Sequence, residues 1–266
     1  MEVLTAQDVA GIVPQNNRLG VTTGGTPQGD TRPGDGLAVT MADGSCYIAD
    51  AVLIATGSTY RRLDVPGEEK YIGAGVHFCA TCDGPFYKGR DVVVIGGGNS
   101  AAEEAAYLSG IVGHVTILAR GDTLSASKTA RDKLPEYPNL TVRYHTAVTG
   151  FEGKDAHLTG VRLASTVEGQ GDGSEETLPA AGAFVFIGLT PNTDFLGDSI
   201  ARNDAGFVMT GLDMRTNVPG VFAAGDCRHG STKQIASAVG EGATAALMIR
   251  HYLNEGEAMR GSGEES

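Results

Sequence analysis

Long hydrophobic runs are missing from this 266-residue chain. Its apolar stretches, such as residues 51–55 and 92–95, are far too short to span a bilayer. Residues 1–7 contain Glu2 and lack a basic flank, so no export signal is expected. Positive charge is scarce as well. Twenty Lys and Arg against 32 Asp and Glu give a net charge of −12, which argues against nucleic acid and against an anionic membrane as partners. Cysteine is sparse: four residues, of which only Cys79 and Cys82 lie close together. Without an export signal, such a pair points to redox or metal chemistry rather than a structural staple. Cys46 and Cys227 have no neighbour in sequence and are expected to be buried as small hydrophobes.

Glycine is abundant. The 39 glycines have no period, which excludes collagen, and many stand where a strand would meet a helix. Hydrophobic residues at 41% suit a globular protein, and the length suits two cores. The first section reads as strands: residues 1–10, then 36–41 and 45–48 around the turn Ala42-Asp43-Gly44, with residues 15–35 a Gly/Thr/Pro-rich loop. Residues 51–55 form a buried parallel strand that stops at Thr56-Gly57. Residues 91–95, 99–109 and 115–118 then read as strand, helix and strand, with Gly110 past the helix end. That βαβ order implies a parallel sheet. A helix at 127–134 and strands at 141–144, 160–163 and 183–187 continue it, with 165–176 a polar hairpin loop. Residues 221–223 repeat the earlier ending, stopping at Ala224-Gly225-Asp226. A final helix covers 234–253, its alanine-rich face holding Ala238, Ala245 and Ile249, and 254–266 is expected to fray.

Gly96-Gly97-Gly98-Asn99-Ser100-Ala101 matches G-x-G-x-x-A between a strand and a helix. Gly96 serves the tight turn, Gly98 lets a pyrophosphate approach the backbone, and Ala101 permits close helix–strand packing. The free N–H groups at the helix start near Asn99 and Ser100 would face the anion. After the second strand stand Ala119-Arg120-Gly121 rather than the acidic residue of an NAD site, and Arg120 can pair with a 2′-phosphate, which favours NADPH. In Cys79-Ala80-Thr81-Cys82-Asp83 the two cysteines can close a small reducible ring, and Asp83 can exchange a proton with a thiol. A metal would need two further ligands. His77 and Cys227 are the candidates, and neither repeats a ligand spacing, so no metal is expected.

Together these residues resemble the low-molecular-weight thioredoxin reductases. The stretches that carry the likeness are Ala55-Thr56-Gly57-Ser58, Val65-Pro66-Gly67, CATCDG at 79–84, VIGGGNSAAEE at 94–104, GLTPNT at 188–193 and VFAAGD at 221–226. The resemblance runs over about residues 1–253. It implies a cytoplasmic homodimer with FAD and NADPH as cofactors and thioredoxin, or a similar dithiol protein, as partner. It implies an α/β fold of two Rossmann-like three-layer domains: FAD-binding at 1–66 and 188–266, NAD(P)H-binding with the redox pair at 67–187. Cys82 would lie nearest the flavin, Cys79 would attack thioredoxin, and Asp83 would be the acid–base. Thr56, Gly57 and Gly225 border the flavin site, Asp226 would hold the ribityl chain, and Lys233, Gln234 and Ile235 would lie near the isoalloxazine ring. The family also alternates its domains by rotation, with Gly67 and Gly188 at the two connections.

Two departures shape the expectations. Family members begin with a strand, a G-x-G-x-x-G turn and a helix for the FAD pyrophosphate, and nothing before Ala55 matches. On that reading the flavin domain is incomplete, residues 1–5 form an edge strand without its neighbour, and the chain, a fragment or a mis-started frame, binds FAD poorly. The family's His-Arg-Arg is Ala119-Arg120-Gly121, and a further arginine is Ser125, which leaves NADH or another donor open. The alternatives are the flavoprotein reductase of a peroxiredoxin system, a reductase independent of pyridine nucleotide, and a flavin-free inactive fragment.

Overall fold

A computed structural model describes residues 8–14, 36–167 and 176–261. The chain divides into two compact units, one joining residues up to Thr59 with those from Leu189 onward, the other Tyr60–Gly188. The division falls upstream of Pro66/Gly67 because residues 61–64 are bonded into the second unit. Arg61 N–H donates to the Gly188 carbonyl (3.0 Å), and the buried Glu68 carboxylate accepts from Leu63 N–H (3.0 Å) and Asp64 N–H (2.7 Å).

The Tyr60–Gly188 unit is built on five parallel strands in the order Val76–His77, Gly182–Val185, Asp91–Ile95, His114–Leu118 and Leu140–Arg143. Side chains alternate between faces along a strand, and here both faces are covered. Val92, Val94, Val115 and Ile117 pack with Ala101, Ala105 and Leu108 of the helix Asn99–Ser109. Val93, Ile95, Leu118 and Val185 pack with Phe151, Leu158 and Val161 of an antiparallel sheet, Thr146–Lys154, His157–Ser165 and Glu176–Pro179. Helix, parallel sheet and antiparallel sheet make three layers. That third layer went unread in the sequence beyond residues 160–163, because Gly150, Gly153 and Gly160 interrupt its strand pattern.

In the other unit Val52–Ile54 runs parallel to Val221–Ala223, and Val9–Pro14, Leu37–Met41 and Cys46–Ala49 form an antiparallel sheet. Ile12, Leu37, Ile54, Val221 and Cys227 share one core. The hairpin at Ala42-Asp43-Gly44 forms as read. Cys46 does not fit its expectation: it is exposed, at the start of a strand with few buried side chains, whereas Cys227 is buried. The C-terminal helix, Ile235–Gly261, passes the expected end at Leu253. Ala245 is buried on its inner face, and Tyr252 packs edge-on against Phe222 (6.1 Å), so the helix is anchored where fraying would begin. Glu, Ala, Met and Arg then continue it readily. The readings for residues 1–5 and 15–35 and the tip of the 165–176 loop lie outside the described residues. Among the described residues no helix is long and apolar enough to cross a membrane.

Candidate functional site

Cys79 and Cys82 are joined in a disulfide. Cys79 caps the short helix Ala80–Asp83, and its sulfur accepts from Cys82 N–H (3.1 Å), so one helical turn brings the two residues together. Asp83 closes that turn, and its Oδ2 lies 3.3 Å from Nδ1 of buried His77. The other ring nitrogen, Nε2, is 2.6 Å from the Tyr87 hydroxyl. Phe184 packs on both rings, at 5.4 Å and 5.7 Å. Burial pushes His77 below the ordinary histidine range, with Asp83 opposing. Burial pushes the Tyr87 phenol up, opposed by Arg90 and reinforced by Asp83. His77 thus stands beside the Asp83 carboxylate next to the disulfide, a place its position in the sequence did not signal.

The glycine turn behaves as its residue types require. Gly96 has φ +145°, and a Cβ there would stand 2.3 Å from the Phe186 carbonyl oxygen and 3.1 Å from Ala101 Cβ. Gly98 has open space where its Cβ would be, and no side chain caps the helix that follows. The unfilled N–H groups of that first turn therefore remain for an anion. Asn99 is committed elsewhere: its Oδ1 accepts from Ser127 N–H (2.6 Å) and ties the turn to the next helix, Lys128–Lys133. A cavity of about 700 Å³ opens here, lined by Gly96, Gly98, Asn99, Ser100, Arg120 and Ser125, with Ala101 buried behind it. Its size suits a nucleotide. Arg61 and Arg62 line it too. Sequence reading counted basic groups only after the second strand and missed these, although the Arg61-Arg62 doublet was visible.

In the first unit a smaller cavity of about 360 Å³ is lined by Ala55, Gly57, Gly225, Asp226, Gln234 and Ile235. Asp226 Oδ1 is buried there without a hydrogen-bond partner among the described residues, an acceptor suited to a ligand hydroxyl. Thr56 is not in the lining; its hydroxyl donates to the Asn192 carbonyl (2.7 Å), holding the two strand ends together. Lys233 also turns away. Its Nζ donates to the Asp226 (2.7 Å) and Arg228 (3.1 Å) carbonyls and sits over the Phe207 ring (4.3 Å), and burial lowers it against the pull of Asp226. Behind the loop lies a pair missed in sequence, Arg228–Glu241 (2.8 Å), whose Glu241 also accepts from Gly225 N–H (2.7 Å). Glu241, the lone glutamate of the stretch 234–253 read as an alanine-rich helix, was its only signal.

The family described as pyridine nucleotide-disulphide oxidoreductase matches residues 1–242. Among curated relatives, the F subunit of alkyl hydroperoxide reductase from Staphylococcus aureus (strain NCTC 8325 / PS 47) is 41% identical over 219 residues, 82% of this chain and 42% of that protein. Thioredoxin reductase of Listeria monocytogenes is 40% identical over 214 residues, 80% of this chain and 66% of that protein. The chain thus spans less than two thirds of the length of these relatives. The crystal structure of thioredoxin reductase from Streptococcus pyogenes MGAS5005 superposes with TM-score 0.77 at 37% identity, covering 84% of this chain and 71% of that one. With a disulfide and a nucleotide-sized cavity in one unit, and with these likenesses, the chain belongs to the pyridine nucleotide-disulphide oxidoreductase family.

Proposed function

We propose that the protein is a thioredoxin-disulfide reductase using NADPH and FAD. The observation that carries the reading is the Cys79–Cys82 disulfide, with Asp83 on the same helical turn and a glycine-lined nucleotide cavity in the same unit. NADPH, if bound, would supply two electrons as hydride, and FAD would serve as the two-electron carrier. Gly98 and the uncapped helix amides hold the pyrophosphate, and Arg120, with Arg61 and Arg62 on the same cavity, supplies positive charge for a 2′-phosphate. The unpartnered Asp226 oxygen takes a hydroxyl of the flavin's sugar-like chain, with Gln234 and Ile235 beside it. Once the S–S bond has opened, the Cys79 thiolate attacks the acceptor disulfide. Cys82 then loses its proton to Asp83 and closes the ring, releasing the acceptor as a dithiol.

The test is NADPH-dependent reduction of oxidised thioredoxin by the purified protein supplied with FAD. The Cys82→Ser variant should lose this while still allowing flavin reduction by NADPH. Thioredoxin reduction that survives in that variant overturns the role of the pair. The likeness to the alkyl hydroperoxide reductase protein favours a second reading, in which a peroxide-reducing partner takes the electrons. Faster turnover with such a partner than with thioredoxin selects it.

A further inference from the structure

Resting on that reading of Asp83, we infer that His77 is a positioning residue that holds the Asp83 carboxylate ready to take the Cys82 proton, with Tyr87 fixing the tautomer of the ring. An ionised carboxylate can only accept, so the Nδ1 facing Asp83 Oδ2 (3.3 Å) carries the ring's hydrogen. Nε2 is then the acceptor, and the Tyr87 hydroxyl donates to it (2.6 Å). Neither ring can turn away. His77 stands on the parallel strand Val76–His77 opposite Phe184, and both rings pack against Phe184. Gly182 makes room for Tyr87, since a Cβ there would lie 2.6 Å from its ring. The path runs from the disulfide's turn into the core through two buried side chains, and Asp83, 31% exposed, is its outer end.

Other charges bear on the pair. Arg90 lies 5.6 Å from the Tyr87 ring, and the helix Asn99–Ser109 packed on this turn carries Glu103, Glu104 and Tyr107. The strand Gly182–Val185 carries no titratable side chain. His77 therefore supplies a donor that orients the Asp83 carboxylate, and removing it takes away the contact that holds the carboxylate in place beside the neighbouring thiol.

The experiment needs neither cofactor. The chain, with the exposed Cys46 replaced by serine so that its thiol releases no pyridinethione, is reduced with a phosphine, desalted and mixed with dithiodipyridine in a stopped-flow spectrometer. In the opening phase the Cys79 thiolate breaks the probe's S–S bond, one pyridinethione leaves and a mixed disulfide forms. In the closing phase Cys82 gives its proton to Asp83, its sulfur bonds to that of Cys79, and the second pyridinethione leaves. Two electrons pass from the dithiol to the probe. His77→Phe keeps a ring against Phe184 and removes the donor. It should slow the closing phase about tenfold at about pH 6 and leave it unchanged at about pH 9, where solvent deprotonates the thiol. The opening phase should not change. His77→Asn, which presents an amide N–H close to the Nδ1 position, should restore most of the lost rate. In an Asp83→Asn background His77→Phe should add nothing. A closing phase that His77→Phe leaves at the parent rate, or slows equally in the Asp83→Asn background, overturns the inference alone. A closing phase that Asp83→Asn leaves unchanged overturns the acid–base role of Asp83, and the inference with it.

Discussion

Replacing Gly96 and Gly98 separately with alanine divides the turn's structural requirement from its ligand requirement. At position 96 the new Cβ meets the Phe186 carbonyl oxygen at 2.3 Å on a backbone with φ +145°. The backbone strain costs about 1–3 kcal/mol and the overpacking about 1–3 kcal/mol more. For a chain of this size, roughly 2–4 °C per kcal/mol puts the melting temperature down by roughly 5–20 °C. At position 98 φ is −84° and ψ −178°, and nothing lies within 4 Å of the added carbon. Gly98→Ala should melt with the parent or slightly above it, gaining up to about 1 kcal/mol from a stiffer unfolded chain. Its Cβ nevertheless stands where a pyrophosphate would meet the backbone. Thermal melting with and without NADPH reads both effects. Nucleotide at about a hundredfold its dissociation constant stabilises the parent by about 2.7 kcal/mol, and a tenfold loss of affinity roughly halves that gain. Calorimetric titration gives the affinity directly. A Gly98→Ala protein that keeps the full nucleotide-induced shift refutes the placement of the pyrophosphate, and a Gly96→Ala protein that melts with the parent refutes the steric argument.

Three further outcomes are expected. Arg120→Ala should weaken NADPH about tenfold while changing NADH little, because a 2′-phosphate loses a charge-assisted contact and a ribose hydroxyl does not; equal losses measured by titration would show that Arg120 does not discriminate. Glu241→Leu should cost about 3–5 kcal/mol in denaturant unfolding by leaving Arg228 unpaired, since the two side chains are 10% and 14% exposed, and Arg228→Met in the same chain should recover part of it. A double variant no more stable than the single one argues that the pair's charge was never the issue. Burial raises Glu241, but Arg228, Gly225 N–H and Ser237 outweigh it and hold the carboxyl below the ordinary glutamate range. Its stabilising contribution is therefore complete above that range and lost as the pH falls below it, so acid melting curves of Glu241→Gln should be flatter than the parent's.

The βαβ unit was legible because its signals are local. Strand Asp91–Ile95 and helix Asn99–Ser109 stand where the apolar run, the glycines and the alanines placed them, and the uncapped helix start follows from the same stretch. The disulfide was legible for a similar reason, since three residues of helix suffice to bring Cys79 to Cys82. The antiparallel third layer was obscured by glycines that weaken strand pattern, and the exposure of Cys46 by a strand whose outer face carries no periodic cue.

What the sequence by itself determined was what is held within one turn or one strand–helix junction: a cysteine pair with its neighbouring carboxylate, and a glycine turn opening an uncapped helix. The tertiary structure alone decided which distant side chains attend them. His77 and Tyr87 are ten residues apart yet hydrogen-bonded, Thr56 meets Asn192 across 136 positions, and Arg61 and Arg62 join Arg120 at one cavity. Such pairings depend on strand order in a sheet and on which face of each strand is covered. Neither leaves a mark on the residues in between.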